Sequence, residues 1–307
     1  MTLTTAYVPD HSTFPFAKMH GAGNDFVLVD DPQEAFPADA ATIASLCDRR
    51  TGIGADGFIL LRPPTAGAEA DIRMGFFNSD GSPAAMCGNG GRCLAAFAFA
   101  QGRTPRKMRM ETPAGILAAE VMDGGDVRLQ LPSPTARRLR ERIEFEGRPY
   151  EMHHLDSGVP HAVHFLPEGA TEADLAAFPV VRFGRFARHH SLYAPAGANV
   201  DVALAVSPEK VFLRTYERGV EDETGACGTG AVAAVCLGIA LGRLSPALPV
   251  EVVPTLRMPL AVELPADGRP LLTGPATVAF TGTARLEPAR NLSAARRLAR
   301  NLLVLSL

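Results

Sequence analysis

Two cysteines in this sequence are each followed directly by glycines: Cys87 begins CGNGG and Cys227 begins CGTG. Free N–H groups and the dipole at the start of a helix stabilise an anion, so a cysteine placed there can have a lowered pKa and react as a thiolate. The glycines also let the backbone approach a ligand closely, and the same N–H groups can hold a carboxylate. One such motif fits a nucleophile, an anion site or simple packing, whereas two matched copies favour catalysis.

Two thiols on opposite faces of a substrate are suited to inverting one carbon centre. A thiolate can remove a proton from one face while a thiol delivers another proton from the opposite face. The α-proton of an amino acid is a very weak acid, so the charge that develops on the carboxylate needs preorganised donors, and two converging helix N-termini supply them. We therefore interpret Cys87 and Cys227 as the acid and base of an amino-acid epimerase.

Other polar residues in glycine-rich or strand-end segments could complete such a site. An asparagine in a glycine-rich turn is more often a turn former than a ligand, a single histidine is more often structural, and an exposed Glu–Arg pair contributes little to stability. We interpret Cys47 as a core or surface residue, and Cys93 and Cys236 as small residues buried in helices. The candidates for the site are Asn24, Asn78, His161, Asn199, Glu217 and Arg218.

The elements that would position these residues are mostly strands. Strand-like runs occur at 26–30, 58–61, 72–77, 127–131, 211–216 and 250–253. The two cysteine motifs instead lead into segments that are apolar on all sides and end at a glycine, which is typical of helices surrounded by protein. We expect these helices at 92–101 and 231–241. The sequence thus predicts an α/β fold with two pseudo-symmetric domains, each a barrel of strands around a central helix.

The domain boundaries follow from turn-forming residues and from the position of each cysteine. We expect an N-terminal domain at 14–132 that contains Cys87, a C-terminal domain at 133–276 that contains Cys227, and a late strand near 277–286 that returns to the first domain. The tail at 287–307 is amphipathic and predicts a surface or interface helix, so a homodimer is one expected assembly.

Composition excludes several other classes of protein. The chain has 307 residues, 47% of them hydrophobic and 21% charged, with a net charge of −3, so neither nucleic acid nor an anionic membrane is an expected partner. The first residues do not read as a signal peptide, and the five cysteines fit neither a disulfide framework nor a zinc site, so we expect a cytoplasmic protein without a metal. None of the three lysines lies in an evident site for pyridoxal phosphate.

Six segments, in one order along the chain, resemble the diaminopimelate epimerase family. They are GAGNDFVLVD, RRTGIGADGFILL, FFNSDGSPAAMCGNGGRC, SGVPH, PAGANVD and RTYERGVEDETGACGTGAVAA, and the resemblance runs from about Phe16 to Gly282. It implies two domains that close on a small-molecule substrate without a cofactor. It also implies interconversion of LL- and meso-2,6-diaminopimelate, on the path to lysine and peptidoglycan precursors.

The resemblance further implies a role for each matching residue. Cys87 and Cys227 would be the acid–base pair, His161 and Glu217 would modulate their pKa values, and Glu217 would also receive the reacting ammonium. The residues that would hold the reacting carboxylate are Asn24, Gly88, Asn89, Gly228 and Thr229. Those that would bind the distal amino-acid end are Asn78, Asn199 and Arg218.

Two positions depart from the pattern of the family. Some members carry Gln where this chain has Gly57, and many carry Asn where it has Val159, so contacts with the distal end of the substrate could be fewer here. Another amino-acid racemase with two thiols therefore stays an alternative, as does a thiol redox or anion-binding protein without turnover. Arg218 favours a substrate with a second zwitterionic end, which a proline-type substrate lacks.

Overall fold

The computed structural model describes residues 13–84 and 87–286. Within these residues it contains seventeen strands and five α-helices. The strands are β1 (Thr13–Gly21), β2 (Asn24–Asp30), β3 (Gly57–Arg62), β4 (Ile72–Asn78), β5 (Lys107–Thr112), β6 (Gly115–Val121), β7 (Val127–Gln130), β8 (Thr135–Phe145), β9 (Arg148–Asp156), β10 (Pro160–Phe165), β11 (Asn199–Ser207), β12 (Lys210–Glu217), β13 (Asp222–Thr224), β14 (Val250–Val253), β15 (Leu260–Glu263), β16 (Leu271–Gly274) and β17 (Thr277–Arg285). The helices are α1 (Ala40–Cys47), α2 (Gly88–Ala100), α3 (Glu172–Ala177), α4 (Val180–Ala187) and α5 (Gly228–Ala240).

All six strands expected from the sequence are present, and the strand pairing forms two copies of one arrangement. In the first half the order is β17-β1-β2-β3-β4-β5-β6-β7, and in the second it is β8-β9-β10-β11-β12-β14-β15-β16, with β13 added beside β12. In the first half β2–β3 and β4–β5 are the parallel pairs, and in the second half β10–β11 and β12–β14 are the parallel pairs at the same two places in the order. The other pairs within each order are antiparallel. Antiparallel pairing of β7 with β16 joins the halves. This repeat confirms the predicted fold class.

Each half wraps its strands around one central helix. α2 packs against strands of the first half, including β1, β2, β6 and β7, and α5 packs against β9, β10, β11 and β15 of the second. Both helices end at a glycine with positive φ, Gly102 (69°) and Gly242 (73°), as predicted for C-terminal caps. Both begin earlier than the 92 and 231 that we expected, at Gly88 and Gly228. The glycines of the two motifs therefore form the first helical turns. Packing against the surrounding strands offsets the low helix propensity of these glycines.

The strand that follows the second half in sequence pairs with the first strand of the chain. β17 runs antiparallel to β1, with Thr13 opposite Arg285 and His20 opposite Thr277. The residue boundaries at which the chain would divide into domains stay a prediction, and the predicted tail helix at 287–307 lies outside the described residues. No helix in the described part of the chain is long and apolar enough to cross a membrane.

Candidate active site

A cavity of about 750 Å³ is lined by residues from both halves of the fold. The structure brings together at its wall nearly every residue that the sequence proposed for a site. These residues are Asn24, Asn78, Cys87, Gly88, Asn89, Asn199, Glu217, Arg218, Cys227, Gly228 and Thr229. His161 is the exception, because it is completely buried and lies behind Thr229.

The two cysteines occupy equivalent positions at the N-termini of the two central helices. Cys87 is the N-cap residue of α2 and Cys227 that of α5, both in extended backbone conformation, and neither side chain caps its own helix. Both are free thiols. The helix starts meet because neither first residue has a side chain: a Cβ added to Gly228 would lie 3.8 Å from the Cα of Gly88. Leu272 of β16 packs beneath both glycines.

The thiol pKa values differ from what the motif alone predicted. Burial raises the pKa of the Cys87 thiol to about 11, while the backbone N–H groups of Gly90 and Asn89 act in the opposite direction. Burial, together with the carboxylates of Glu217 and Asp201, raises the pKa of Cys227 well above its usual value. The N–H groups of the helix N-terminus thus lower the thiol pKa, as predicted, but desolvation raises it by more. The expectation of lowered thiol pKa values was therefore wrong for both cysteines.

A chain of hydrogen bonds leads from Cys227 into the core of the second half. The Cys227 Sγ lies 3.4 Å from Thr229 Oγ1, which lies 3.0 Å from His161 Nε2. His161 Nδ1 lies 2.7 Å from Asp201 Oδ2, and Thr215 donates to Asp201 Oδ1 at 2.6 Å. We call Cys227, Thr229, His161 and Asp201 the Cys227 relay. Because Asp201 accepts the hydrogen on Nδ1, Nε2 carries the lone pair and can accept from Thr229.

Strand register brings the members of the relay together. Parallel pairing of β10 with β11 sets His161 opposite Asn199, and Asp201 lies two residues further along β11, on the same face. Antiparallel pairing of β11 with β12 sets Thr215 opposite Asp201. His161, Asp201 and Thr215 therefore lie on the same face, towards the start of α5.

Cys87 has different neighbours, although its half has the same fold. Its Sγ lies 3.4 Å from Asn24 Oδ1, and Asn24 in turn donates from Nδ2 to Asp56 at 2.8 Å. Asn24 follows a two-residue hairpin turn in which Ala22 and Gly23 both have positive φ (56° and 92°), as a type I′ turn requires. This turn places the Asn24 side chain over the start of α2.

The second glycine of each motif, three residues after the cysteine, shows how the two halves differ behind the thiols. A Cβ on Gly90 would meet Ile59, Met74 and Phe26, which are all apolar. At the equivalent Gly230, a Cβ would meet Asp201 at 2.7 Å and His161 at 3.3 Å. Only the second half, among the residues described, has an imidazole and a carboxylate at this place. The fold is repeated, but the chemistry behind the two cysteines is not.

Glu217 and Arg218 follow each other at the end of β12, on the cavity wall. Burial raises the pKa of the Glu217 carboxyl. The Arg218 backbone N–H donates to Asn199 Oδ1 at 2.8 Å, and its guanidinium donates only to the Ala196 carbonyl, at 3.4 Å, among the described residues. A guanidinium with one long hydrogen bond at a cavity wall is available for a bidentate anion.

The two positions that depart from the family pattern both make the wall less polar. Val159 lines the cavity, and Gly57 leaves room for the ring of Phe76, which lines it too. A Cβ on Gly57 would lie 2.9 Å from Phe76 Cε2 and 2.9 Å from the Phe77 carbonyl. A larger residue therefore does not fit at position 57 here. Asn78 donates from its side chain to Ser82 at 3.0 Å.

Three residues around the site were not among those proposed from the sequence. Asp201 is two residues after Asn199 in a strand, so the two-residue period of a strand could have identified it. Asp56 lines the cavity and accepts from Asn24. Arg92 is completely buried and donates to Asn89 Oδ1 at 2.9 Å. The sequence places Arg92 at the start of a helix surrounded by protein, but it does not show that Asn89 is its partner.

The fold belongs to a class of two-domain proteins that includes epimerases and racemases. A hydroxyproline epimerase from Agrobacterium vitis, solved with bound trans-4-hydroxy-L-proline, matches with a TM-score of 0.69 at 17% identity, over 92% of this chain and 95% of that one. A phenazine biosynthesis protein of the PhzF family from Bacillus anthracis matches with a TM-score of 0.65 at 13% identity, over 89% and 99%. At these identities the similarity establishes the fold alone.

Sequence comparison identifies the family. The sequence profile described as diaminopimelate epimerase matches residues 16–135 and 154–278. The diaminopimelate epimerase of Aquifex aeolicus is 37% identical over 277 residues, which are 87% of this chain and 96% of that protein. The diaminopimelate epimerase of Archaeoglobus fulgidus is 36% identical over 289 residues, which are 90% and 98%. The chain belongs to the diaminopimelate epimerase family.

Proposed function

We propose that this protein interconverts LL- and meso-2,6-diaminopimelate by proton transfer between Cys87, Cys227 and the α-carbon, without a cofactor. The observation that carries the proposal is that two free cysteines occupy the N-cap positions of two helices whose N-termini meet in one cavity. The N–H groups of both helix starts can hold the reacting carboxylate, with Gly88, Asn89, Gly228 and Thr229 supplying them.

Protons and charges balance in this reaction. One thiolate takes the α-proton and becomes a thiol, and the other thiol gives its proton to the opposite face and becomes the thiolate. The Cys227 relay supports formation of the first thiolate: the Cys227 proton passes to the Thr229 hydroxyl, which gives its own proton to His161 Nε2, beside the Asp201 carboxylate. This route matters because burial raises the pKa of both thiols and so favours their protonated forms.

The remaining polar residues of the cavity fit the two ends of the proposed substrate. Glu217 would accept from the reacting ammonium, and Asn24 would border the reacting carboxylate. Arg218 would bind the distal carboxylate, with Asn78 and Asn199 beside it. An amino acid with one zwitterionic end, such as a proline derivative, would leave the Arg218 guanidinium without an anionic partner.

Proton exchange in D₂O tests this proposal directly. Thiol protons exchange rapidly with solvent, so each inverted molecule should receive deuterium from the thiol that did not remove the original proton. Early in the reaction, product should be almost fully deuterated at the inverted carbon while the remaining substrate keeps its proton. Proton NMR of LL-diaminopimelate and of the meso product, after the two diastereomers are separated, measures the α-proton that each retains.

Matched variants and a second substrate make the test decisive. Cys87→Ala and Cys227→Ala should each lose inversion, whereas Cys93→Ala, one helical turn into α2, should keep it. Trans-4-hydroxy-L-proline should lose no α-proton. Substantial inversion by either of the first two variants, or early product that is mainly protonated, would refute the two-thiol mechanism. Exchange of the proline derivative alone would identify a different racemase.

All five cysteines are free, which fits a reducing compartment, so we propose that the protein works in the cytoplasm. Assembly as a homodimer stays a prediction that a sedimentation measurement would test.

A further inference from the structure

Arg92 is completely buried beside the candidate site, and no carboxylate in the described part of the chain forms an ion pair with it. Its guanidinium donates to three oxygens instead: Asn89 Oδ1 at 2.9 Å, and the carbonyls of Gly88 and Pro275, each at 3.4 Å. A buried cation is expensive to desolvate and is retained only where hydrogen bonds or nearby charge compensate. A hydrophobic residue would fill the same space, so Arg92 must serve another purpose than packing.

The hydrogen bond from Arg92 determines which way the Asn89 amide points. Since Oδ1 accepts from the guanidinium, the NH₂ group must face away, and it donates to Asn24 Oδ1 at 3.3 Å and to the Ala226 carbonyl at 3.2 Å. The reversed amide would place an NH₂ group against the guanidinium, donor against donor. Asn89 therefore has one allowed orientation while Arg92 is present.

In that orientation Asn89 connects the two segments that carry the cysteines. Asn24 accepts from Asn89 with the same oxygen that lies 3.4 Å from Cys87 Sγ. Ala226 immediately precedes Cys227. One amide group thus links the surroundings of the first thiol to the backbone of the second.

The repeat of the fold gives an independent comparison. Asn89 and Thr229 are equivalent, because each lies two residues after its cysteine, and each is held from behind by a buried charged group. Thr229 is held by His161 with Asp201, and Asn89 is held by Arg92. Val232 of α5 is equivalent to Arg92, because each lies five residues after its cysteine. A guanidinium at this position is therefore not a general requirement of the central helix.

We propose that Arg92 is a positioning residue for the epimerisation proposed above, fixing the Asn89 amide and through it the spacing of the segments that carry Cys87 and Cys227. Both Asn89 side-chain hydrogens are used within the protein, so the Asn89 amide does not itself donate to substrate, and the effect of Arg92 should fall mainly on the transfer of protons. This inference depends on the proposed function, because it is the spacing of two acting thiols that Arg92 controls.

A double-mutant cycle in the full chain tests the inference. Arg92→Met and Asn89→Ala, alone and combined, are compared by kcat and KM for α-proton loss in D₂O and by thermal unfolding. A misplacement of about 1 Å reduces rates on the order of 100-fold, so Arg92→Met should lower kcat about that much with KM nearly unchanged. The double variant should have the kcat of Asn89→Ala within about twofold, because the two changes remove one connection.

The controls separate positioning from general stability. Arg103→Met, just past the end of α2, should keep wild-type kcat, and Arg92→Lys, which keeps the charge and a donor, should recover part of the loss. If Arg92→Met does not fold, Asn89→Asp serves in its place: it retains an acceptor for Arg92 but loses both donors, so kcat per folded molecule should fall.

Two failures are distinguishable in this design. A wild-type protein that exchanges no α-proton of diaminopimelate would overturn the proposed function itself. A wild-type protein that turns over, with additive effects of Arg92→Met and Asn89→Ala, normal kcat per folded Arg92→Met molecule, or normal kcat in Asn89→Asp, would overturn the role of Arg92 alone.

Discussion

His161 and Asp201 form a buried pair in which Nδ1 lies 2.7 Å from Oδ2, and neither side chain is exposed to solvent. The pair holds the imidazole so that its other nitrogen faces Thr229, which in turn faces the Cys227 thiol. Carboxylate, imidazole and hydroxyl therefore stand in line behind one of the two cysteines. The other cysteine has an amide and an apolar wall in the equivalent place.

Replacing Asp201 by asparagine should impair catalysis without removing a side chain from the core. An amide NH₂ facing Nδ1 would favour the hydrogen on Nε2, so that His161 could no longer accept from Thr229. We expect kcat to fall on the order of 10²–10⁴-fold, the range for loss of acid–base assistance. Steady-state kinetics with LL-diaminopimelate measures the change.

The matched control for this variant is Thr215→Val, which removes one hydrogen bond to Asp201 but keeps the carboxylate and the shape. Its kcat should fall far less than that of Asp201→Asn. Equal losses in the two variants would indicate that packing around Asp201, and not the tautomer of His161, controls the rate.

Replacing Arg218 by alanine should weaken recognition of the distal carboxylate. A carboxylate left without its partner in a desolvated site reduces binding by about 2–5 kcal/mol, so kcat/KM should fall accordingly. Arg257→Ala is the control, since Arg257 forms an exposed ion pair with Glu172 at 2.8 Å. Unchanged kcat/KM for diaminopimelate in Arg218→Ala would show that Arg218 does not bind the distal carboxylate.

A methyl group on Gly228 should separate the two helix starts. Its Cβ would lie 3.0 Å from Leu272 Cδ2 and 3.6 Å from Asn89 Oδ1, and Leu272 is completely buried. Overpacking of this kind destabilises by about 1–3 kcal/mol, and activity per folded molecule should fall as well. Urea unfolding and kinetics of Gly228→Ala measure both. Gly124→Ala, where nothing lies within 4 Å of the added Cβ, should change neither.

Alkylation of Cys87 should accelerate with pH up to about pH 11. Because burial raises its pKa to about 11, the thiolate fraction, and with it the rate with iodoacetamide, should rise roughly tenfold per pH unit between pH 7 and 10. Cys93 has no exposed surface and a pKa raised to about 12, so it is the internal control and should stay unlabelled. Peptide mass mapping follows both. A rate that levels off near pH 8 would contradict a raised Cys87 pKa.

The raised pKa of the Cys87 thiol also makes the stability of the fold depend on pH. A thiol whose pKa is higher in the folded than in the unfolded protein stabilises the fold fully below the unfolded pKa of about 8.5. That contribution is lost as pH rises towards 11. Cys47 and Cys236, with pKa values raised by burial to about 11, act in the same direction. The free energy of unfolding should therefore fall between pH 8.5 and 11, as urea titrations at several pH values would measure.

The sequence by itself determined the parts of this protein that depend on neighbouring residues. Glycines directly after Cys87 and Cys227, followed by apolar runs that end at Gly102 and Gly242, were enough to predict two equivalent buried helices with a cysteine before each. Alternating or continuous apolar runs predicted strands such as β2, β3 and β12. The repetition of the cysteine motif and its helix predicted the two-fold architecture, because periodicity and capping are local properties of a chain.

Only the tertiary structure decided what stands behind each thiol. Asp201 reaches His161 because two parallel strands set residues 161 and 199 side by side, and Arg92 matters because its helix places it against Asn89 in a closed interior. The thiol pKa values depend in the same way on the assembled cavity, whose burial outweighs the helix N-terminus that the motif revealed. Pairing across a sheet and the exclusion of water arise from residues far apart in the chain, so no local pattern encodes them.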